Sequence, residues 1–151
     1  MVGRMITKVI LRREGLRFPF PSDFEQKVTG TRVESIRRRA KYLLIDLDDG
    51  RIILSHLGMS GRYTLFSDVK VRSYSQTENE ASRFGSATGF DGRHDHVEFQ
   101  FDDGSAAVYT DPRRFGIMDL IDIGEEEIHS LLENLGPEPL SNWNANQLAY
   151  T

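Results

Sequence analysis

Apolar and polar positions along the chain alternate more often with the period of strands than with that of helices. Residues 5–13 (MITKVILRR) are β-branched and apolar, as in a strand. Residues 14–30 contain Phe18-Pro19-Phe20-Pro21 and end at Gly30; two prolines so close predict an extended loop. Residues 31–38 (TRVESIRR) give a weaker strand. The clearest local features are two hairpins. Residues 41–48 (KYLLIDLD) meet Asp49-Gly50 and return as 51–56 (RIILSH); residues 96–102 (HVEFQFD) meet Asp103-Gly104 and return as 105–110 (SAAVYT). Asp-Gly between apolar runs favours a tight turn because both residues tolerate positive φ. Val97, Phe99 and Phe101 alternate with Glu98 and Gln100, as in a half-buried strand.

Two stretches break the pattern. Residues 66–93 carry Ser, Thr, Gly, Asn and charges with little periodicity, which predicts a long flexible loop. Residues 124–135 (GEEEIHSLLENL) predict a short helix. Ile128, Leu131, Leu132 and Leu135 recur at i, i+3, i+4 and i+7, Glu125 to Glu127 sit where the helix dipole favours negative charge, and Gly136-Pro137 stops the run. Ser141 then suits the cap of a further helix. Several short strands with little helix make the chain mainly β, a sandwich or a barrel.

Composition narrows the setting. The 151 residues allow one domain, or one domain and part of another, and a hydrophobic fraction of 38% suffices for one modest core. No cysteine is present, so these residues form no disulfide, no cysteine-ligated zinc and no thiol nucleophile. No apolar run approaches the ~20 residues of a membrane span. The opening Met1-Val2-Gly3-Arg4-Met5 lacks the apolar core of a signal peptide, and the expected location is the cytoplasm. The net charge of −4 conceals an asymmetry: residues 1–41 hold eleven Lys/Arg against four Asp/Glu, and the remainder is acidic. Two readings fit, a patch that faces a polyanion or a solvated face that balances on folding.

Four clusters carry candidate chemistry. Arg37-Arg38-Arg39-Ala40-Lys41-Tyr42 places four cations at the entrance of an apolar strand, where they suit phosphates or form an ordinary charged strand end; Lys41, the last, suits proton transfer at an apolar wall. In His56-Leu57-Gly58-Met59-Ser60-Gly61, two glycines bracket a methionine, either a loop-borne wedge for a base stack or a core residue beside a bend. His94-Asp95-His96 puts two imidazoles on one strand face, for a metal, a phosphate or plain hydrogen bonding. Tyr109-Thr110-Asp111-Pro112-Arg113-Arg114-Phe115-Gly116 joins a Pro-fixed turn to two guanidiniums and an aromatic, suited to base edges and stacking or to a surface turn in which Asp111 pairs with one Arg.

Together these stretches resemble the formamidopyrimidine-DNA glycosylase family. The similar segments, in order, are LRFPFP (16–21), RRAKYLLIDLDDG (38–50), HLGMSG (56–61), HDHVEF (94–99), YTDPRRFG (109–116) and LGPEPLS (135–141), with 66–93 the main unmatched part. HLGMSG and DPRRFG favour the oxidised-purine branch over the endonuclease VIII branch. The resemblance implies a two-sheet antiparallel β-sandwich over residues 1–136, then a linker and the start of a helix-two-turn-helix domain over 137–151. It implies removal of 8-oxoguanine and formamidopyrimidines from double-stranded DNA, followed by cleavage of the abasic site by β- and δ-elimination, in a monomeric enzyme. Lys41 then corresponds to the proton donor for β-elimination and a phosphate contact. His56, His94 and Arg113 correspond to DNA contacts; Met59, Arg113 and Phe115 fill the gap left by the flipped lesion, with Arg113 facing the orphaned cytosine.

The sequence departs from that family at its ends. The family's nucleophile is the amine of an N-terminal proline followed by a glutamate, and this chain begins Met1-Val2-Gly3. The family's four-cysteine zinc finger has no counterpart in a chain without cysteine, so zinc is implied only for a full-length member. The expectation is a truncated, catalytically inactive N-terminal domain. The alternatives are a non-enzymatic nucleic-acid-binding module on the same fold and an unrelated β-sandwich interaction protein with a basic edge.

Overall fold

The computed structural model describes residues 1–70 and 92–136. In chain order the elements are β1 (Ile6–Leu11), α1 (Phe24–Val28), β2 (Val33–Arg39), β3 (Tyr42–Leu47), β4 (Ile52–His56), β5 (Arg62–Phe66), β6 (Asp95–Phe101), β7 (Ala106–Thr110) and β8 (Ile117–Ile121). They form two four-stranded antiparallel sheets, β1-β6-β7-β5 and β2-β3-β4-β8. The expected two-sheet sandwich is therefore present. The core between the sheets holds Ile6, Val9, Val33, Ile45, Leu47, Ile53, Val97, Phe99, Tyr109 and Met118, closed on one side by Phe24 and Val28 of α1. Among the described residues no helix is long and apolar enough to cross a membrane.

Both Asp-Gly hairpins form, with one difference from the expectation. Only the glycines enter the left-handed region, Gly50 at φ +88° and Gly104 at φ +84°. Each loop turns on the preceding Asp-Asp pair, closed by Gly50 N–H to Leu47 O at 3.0 Å and Gly104 N–H to Phe101 O at 3.0 Å. The second aspartate accepts the next free N–H, from Arg51 to Asp49 and from Ser105 to Asp103, both at 3.0 Å. Glycine thus takes the backbone strain that a Cβ would resist, and aspartate supplies an acceptor.

Residues 14–30 are not loop throughout, since α1 lies within them. Phe24 and Val28, one helical turn apart, bury their side chains, and Glu25 accepts the N–H of Leu11 at 2.9 Å. The strands β5 and β8 are additional to the predicted set. Most of the predicted 66–93 loop, and the predicted linker and helix start at 137–151, lie outside the described residues.

The helix predicted at 124–135 is corrected to a run of turns. Its bonds are mostly of the tight kind, Leu132 N–H to His129 O at 2.9 Å and Leu135 N–H to Leu132 O at 3.1 Å. Long-range polar partners defeat the helix. His129 bonds Asp119 on β8 at 2.8 Å, and its other ring nitrogen takes the Leu131 N–H at 3.2 Å. Arg37 on β2 holds both oxygens of Glu126, at 2.7 and 2.8 Å, while also binding Asp46. The apolar positions still find cover: Leu132, with Leu131 and Leu135, packs on Tyr42, Leu44, Ile52, Leu54 and Ile121. β3 and β4 are therefore covered on both faces, which explains why they read as nearly continuous apolar runs.

Candidate nucleic-acid interface

The candidate residues lie where β4, β7 and β2 end. β4 finishes at His56, and the chain bends through Gly58, at φ +62°, before Gly61 N–H closes on Leu57 O at 2.8 Å. A side chain at Gly58 would put its Cβ 2.7 Å from the Phe115 carbonyl carbon and 2.8 Å from the Gly116 nitrogen. Glycine is thus required twice, for its φ and for the close approach of two loops. Met59 sits at the tip, 77% exposed.

β7 leads into the second loop, residues 111–116. Its organiser is Asp111, which is 0% exposed. One carboxylate oxygen accepts the Ser60 hydroxyl at 2.7 Å and the Arg114 N–H at 3.0 Å; the other accepts the Gly116 N–H at 2.8 Å and the Tyr109 hydroxyl at 3.1 Å. The backbone of Asp111 is held as well, its N–H donating to His94 O at 3.0 Å and its carbonyl meeting His96 Nε2 at 2.7 Å. Burial pushes the Asp111 carboxyl up, but the bonds from Ser60, Gly116, Tyr109 and Arg114 outweigh it and hold the group below its ordinary range. The ionised carboxylate therefore fastens both loops to each other. This corrects the expected pairing of Asp111 with a guanidinium: its partners are a hydroxyl on the other loop, a tyrosine and two backbone amides.

With the loops fixed, three predicted residues meet. Arg113 Nη1 lies 3.7 Å from Met59 Sδ, and its Cζ lies 4.8 Å from the centre of the Phe115 ring. Phe115 is 44% exposed. A thioether, a guanidinium and a phenyl ring thus form one projecting cluster. The core alternative for Met59 and Phe115 does not hold.

Lys41 and His56 line an adjoining cleft of about 270 Å³ with Arg38, Tyr42, Leu57 and Gly58. Ala40, in the left-handed region at φ +51°, makes the turn that delivers Lys41, whose ammonium lies 5.8 Å from the Tyr42 ring centre. Burial, then the charges of Lys41 and Arg17, hold the His56 ring below its usual range. His94 is half-buried, and its backbone carbonyl accepts the Asp111 N–H. His96 is enclosed, and burial with Arg13 and His94 nearby lowers its pKa despite the Asp111 carbonyl. It is a structural histidine. Among the described residues no group of three or more His, Cys, Asp or Glu converges as a metal site.

Such a surface can insert apolar groups into a base stack while cations contact phosphates. A family model described as the formamidopyrimidine-DNA glycosylase N-terminal domain matches residues 1–118. The formamidopyrimidine-DNA glycosylase of Ruegeria sp. (strain TM1040) is 43% identical over 145 residues, covering 94% of this chain and 46% of that protein. That of Allorhizobium ampelinum is 43% identical over 158 residues, covering 99% and 50%. The chain therefore spans about half the length of the curated relatives it matches. Among solved structures, the Lactococcus lactis enzyme in complex with DNA containing an abasic site has a TM-score of 0.70 at 25% identity, covering 93% of this chain and 45% of that one. The same enzyme with Fapy-dG-containing DNA has a TM-score of 0.69 at 25% identity, covering 91% and 44%.

Proposed function

The chain belongs to the formamidopyrimidine-DNA glycosylase family, and on that premise we propose that its loop face seats double-stranded DNA at an oxidised purine and fills the gap left when the lesion is turned out. Membership implies base-excision repair. The lesions are 8-oxoguanine and formamidopyrimidines. Met59 and Phe115 enter the stack, and Arg113 offers donors to O2 and N3 of the orphaned cytosine. Lys41 contacts a phosphate and supplies the proton for β-elimination, and His56, His94 and Arg113 contact the DNA. The expected setting is the bacterial cytoplasm and a monomer.

The observation that carries this reading is the convergence of Met59, Arg113 and Phe115 into one exposed cluster, 3.7 Å and 4.8 Å apart across two loops. Large apolar groups held out in water beside a guanidinium are poorly explained by packing.

The family's covalent chemistry needs a terminal proline amine with a glutamate beside it. The first proline of this sequence is Pro19. We assign that covalent step to none of the described residues. The zinc that the family implies does not fit the residues present, since none is a cysteine and no cluster converges among those described. Titration of an 8-oxoguanine duplex at low salt is expected to show saturable binding, and no binding contradicts the DNA face.

A further inference from the structure

On the body of the sandwich, several arginines sit against carboxylates: Arg4 on Asp103 at 3.2 Å, Arg12 on Glu98 at 2.7 Å, and Arg37 on Asp46 and Glu126, each at 2.7 Å. At the loop end the pattern reverses. The cleft of Lys41 and His56 is walled by Arg38, Ala40, Tyr42, Leu43, Leu57 and Gly58, with no carboxylate. Arg17 arrives there from the loop before α1. Its N–H donates to Gly116 O at 3.2 Å, which ties it to the loop of Arg113 and Phe115. Its guanidinium lies 5.5 Å from the ring centre of Phe18, an exposed aromatic that orients it. Among the described residues no carboxylate pairs with Arg17 or Lys41. The charges of both reach His56, whose ring is held below its usual range by burial first and by these charges next. The carboxylate at this end, Asp111, is taken up by Ser60, Tyr109 and two backbone amides and bonds neither Arg17 nor Lys41; like charges with no carboxylate in direct contact lower stability until an anion completes them.

We infer that Arg17 is a further DNA contact, gripping a backbone phosphate of the strand that passes the Met59–Arg113–Phe115 cluster, beside the cleft of Lys41 and His56. The segment LRFPFP is thereby more than a connector: it brings a third chain segment to the interface. The inference rests on the DNA reading given above, and names a residue to which the family resemblance attached no role.

The test is a salt titration of the full 151-residue chain by fluorescence anisotropy, on a duplex carrying a tetrahydrofuran abasic analogue. The proteins are the parent, Arg17→Ala, Arg17→Lys and Lys27→Ala, the last a control on α1 near Arg51, at the far end of β4 from His56. Each phosphate neutralised contributes about 0.9 to the slope of log K against log salt. Arg17→Ala is expected to make the slope shallower by about that amount, with Arg17→Lys retaining it and Lys27→Ala matching the parent. Arg17→Gln, which keeps a polar side chain, replaces Arg17→Ala if the alanine variant melts below the parent. An unchanged slope in the Arg17 variant, or an equal loss in Lys27→Ala, overturns the inference while leaving the DNA reading intact. Failure of the parent to bind overturns the DNA reading, and this inference with it.

Discussion

Replacing Asp111 with asparagine changes almost no volume but is expected to unfasten both recognition loops. An asparagine can keep its carbonyl oxygen toward the Ser60 hydroxyl and the Arg114 N–H. Its amide NH2 then faces the Gly116 N–H, 2.8 Å from the present oxygen, and the Tyr109 hydroxyl at 3.1 Å. The tyrosine hydroxyl can rotate to accept; the buried Gly116 N–H cannot. One buried donor left unpaired costs about 1–3 kcal/mol, and converting charge-assisted bonds to neutral ones adds roughly 1 kcal/mol. The sum, on the order of 2–4 kcal/mol, corresponds to a fall in Tm of roughly 5–15 °C for a chain of this size. The pH dependence gives an independent reading. The folded carboxyl is held below its ordinary 3.8, so its stabilisation is present above that value and is lost as the pH falls through the folded-state value. The asparagine variant is expected to lose this part of the acid sensitivity. Thermal melts followed by circular dichroism from neutral to acid pH measure both effects. A variant melting within about 1 °C of the parent, with the same acid limb, would refute the hub role of Asp111.

Three further outcomes follow from the same geometry. Met59→Ala and Phe115→Ala are expected to leave stability within about 0.5 kcal/mol of the parent, because both side chains are exposed, yet to weaken binding to gapped duplex more than to intact duplex; competitive titration measures this. Gly58→Ala is expected to lower Tm and DNA affinity together, because the new Cβ meets the Phe115 backbone at 2.7 Å in a left-handed conformation; a melt and a titration check it. Glu126→Gln is expected to speed amide exchange at Leu132 and Leu135 by loosening the Arg37 clasp, an effect of about 1 kcal/mol or less that shrinks in high salt. Since Arg37 holds Glu126 below its usual range, the parent should come to resemble this variant only at acid pH.

What the sequence disclosed follows from how local each cause is. The hairpins were legible because each Asp-Gly loop carries its own determinants within five residues, a glycine for the left-handed position and an aspartate for the next N–H. The 124–135 segment has the spacing of a helix, but Asp119 and Arg37 claim His129 and Glu126 from strands that no local window contains. α1 was hidden by its five-residue length and the prolines before it. Met59, Arg113 and Phe115 were identifiable as residue types suited to a base stack, and the family motifs attached roles to them. Their convergence depends on Ser60 meeting Asp111 across 51 residues, which no spacing reveals. Likewise His94 and His96 looked equivalent on one strand, yet the latter is enclosed against the Asp111 carbonyl.

The most direct measurement places 2-aminopurine beside the abasic analogue in a duplex and follows its fluorescence as the 151-residue chain binds. Entry of Met59 and Phe115 into the gap should unstack or restack the reporter, with the change lost in the Met59→Ala, Phe115→Ala double variant at saturating protein. Saturable binding by the parent with no change at the reporter, or the same change in the double variant, would contradict a gap-filling cluster on this face.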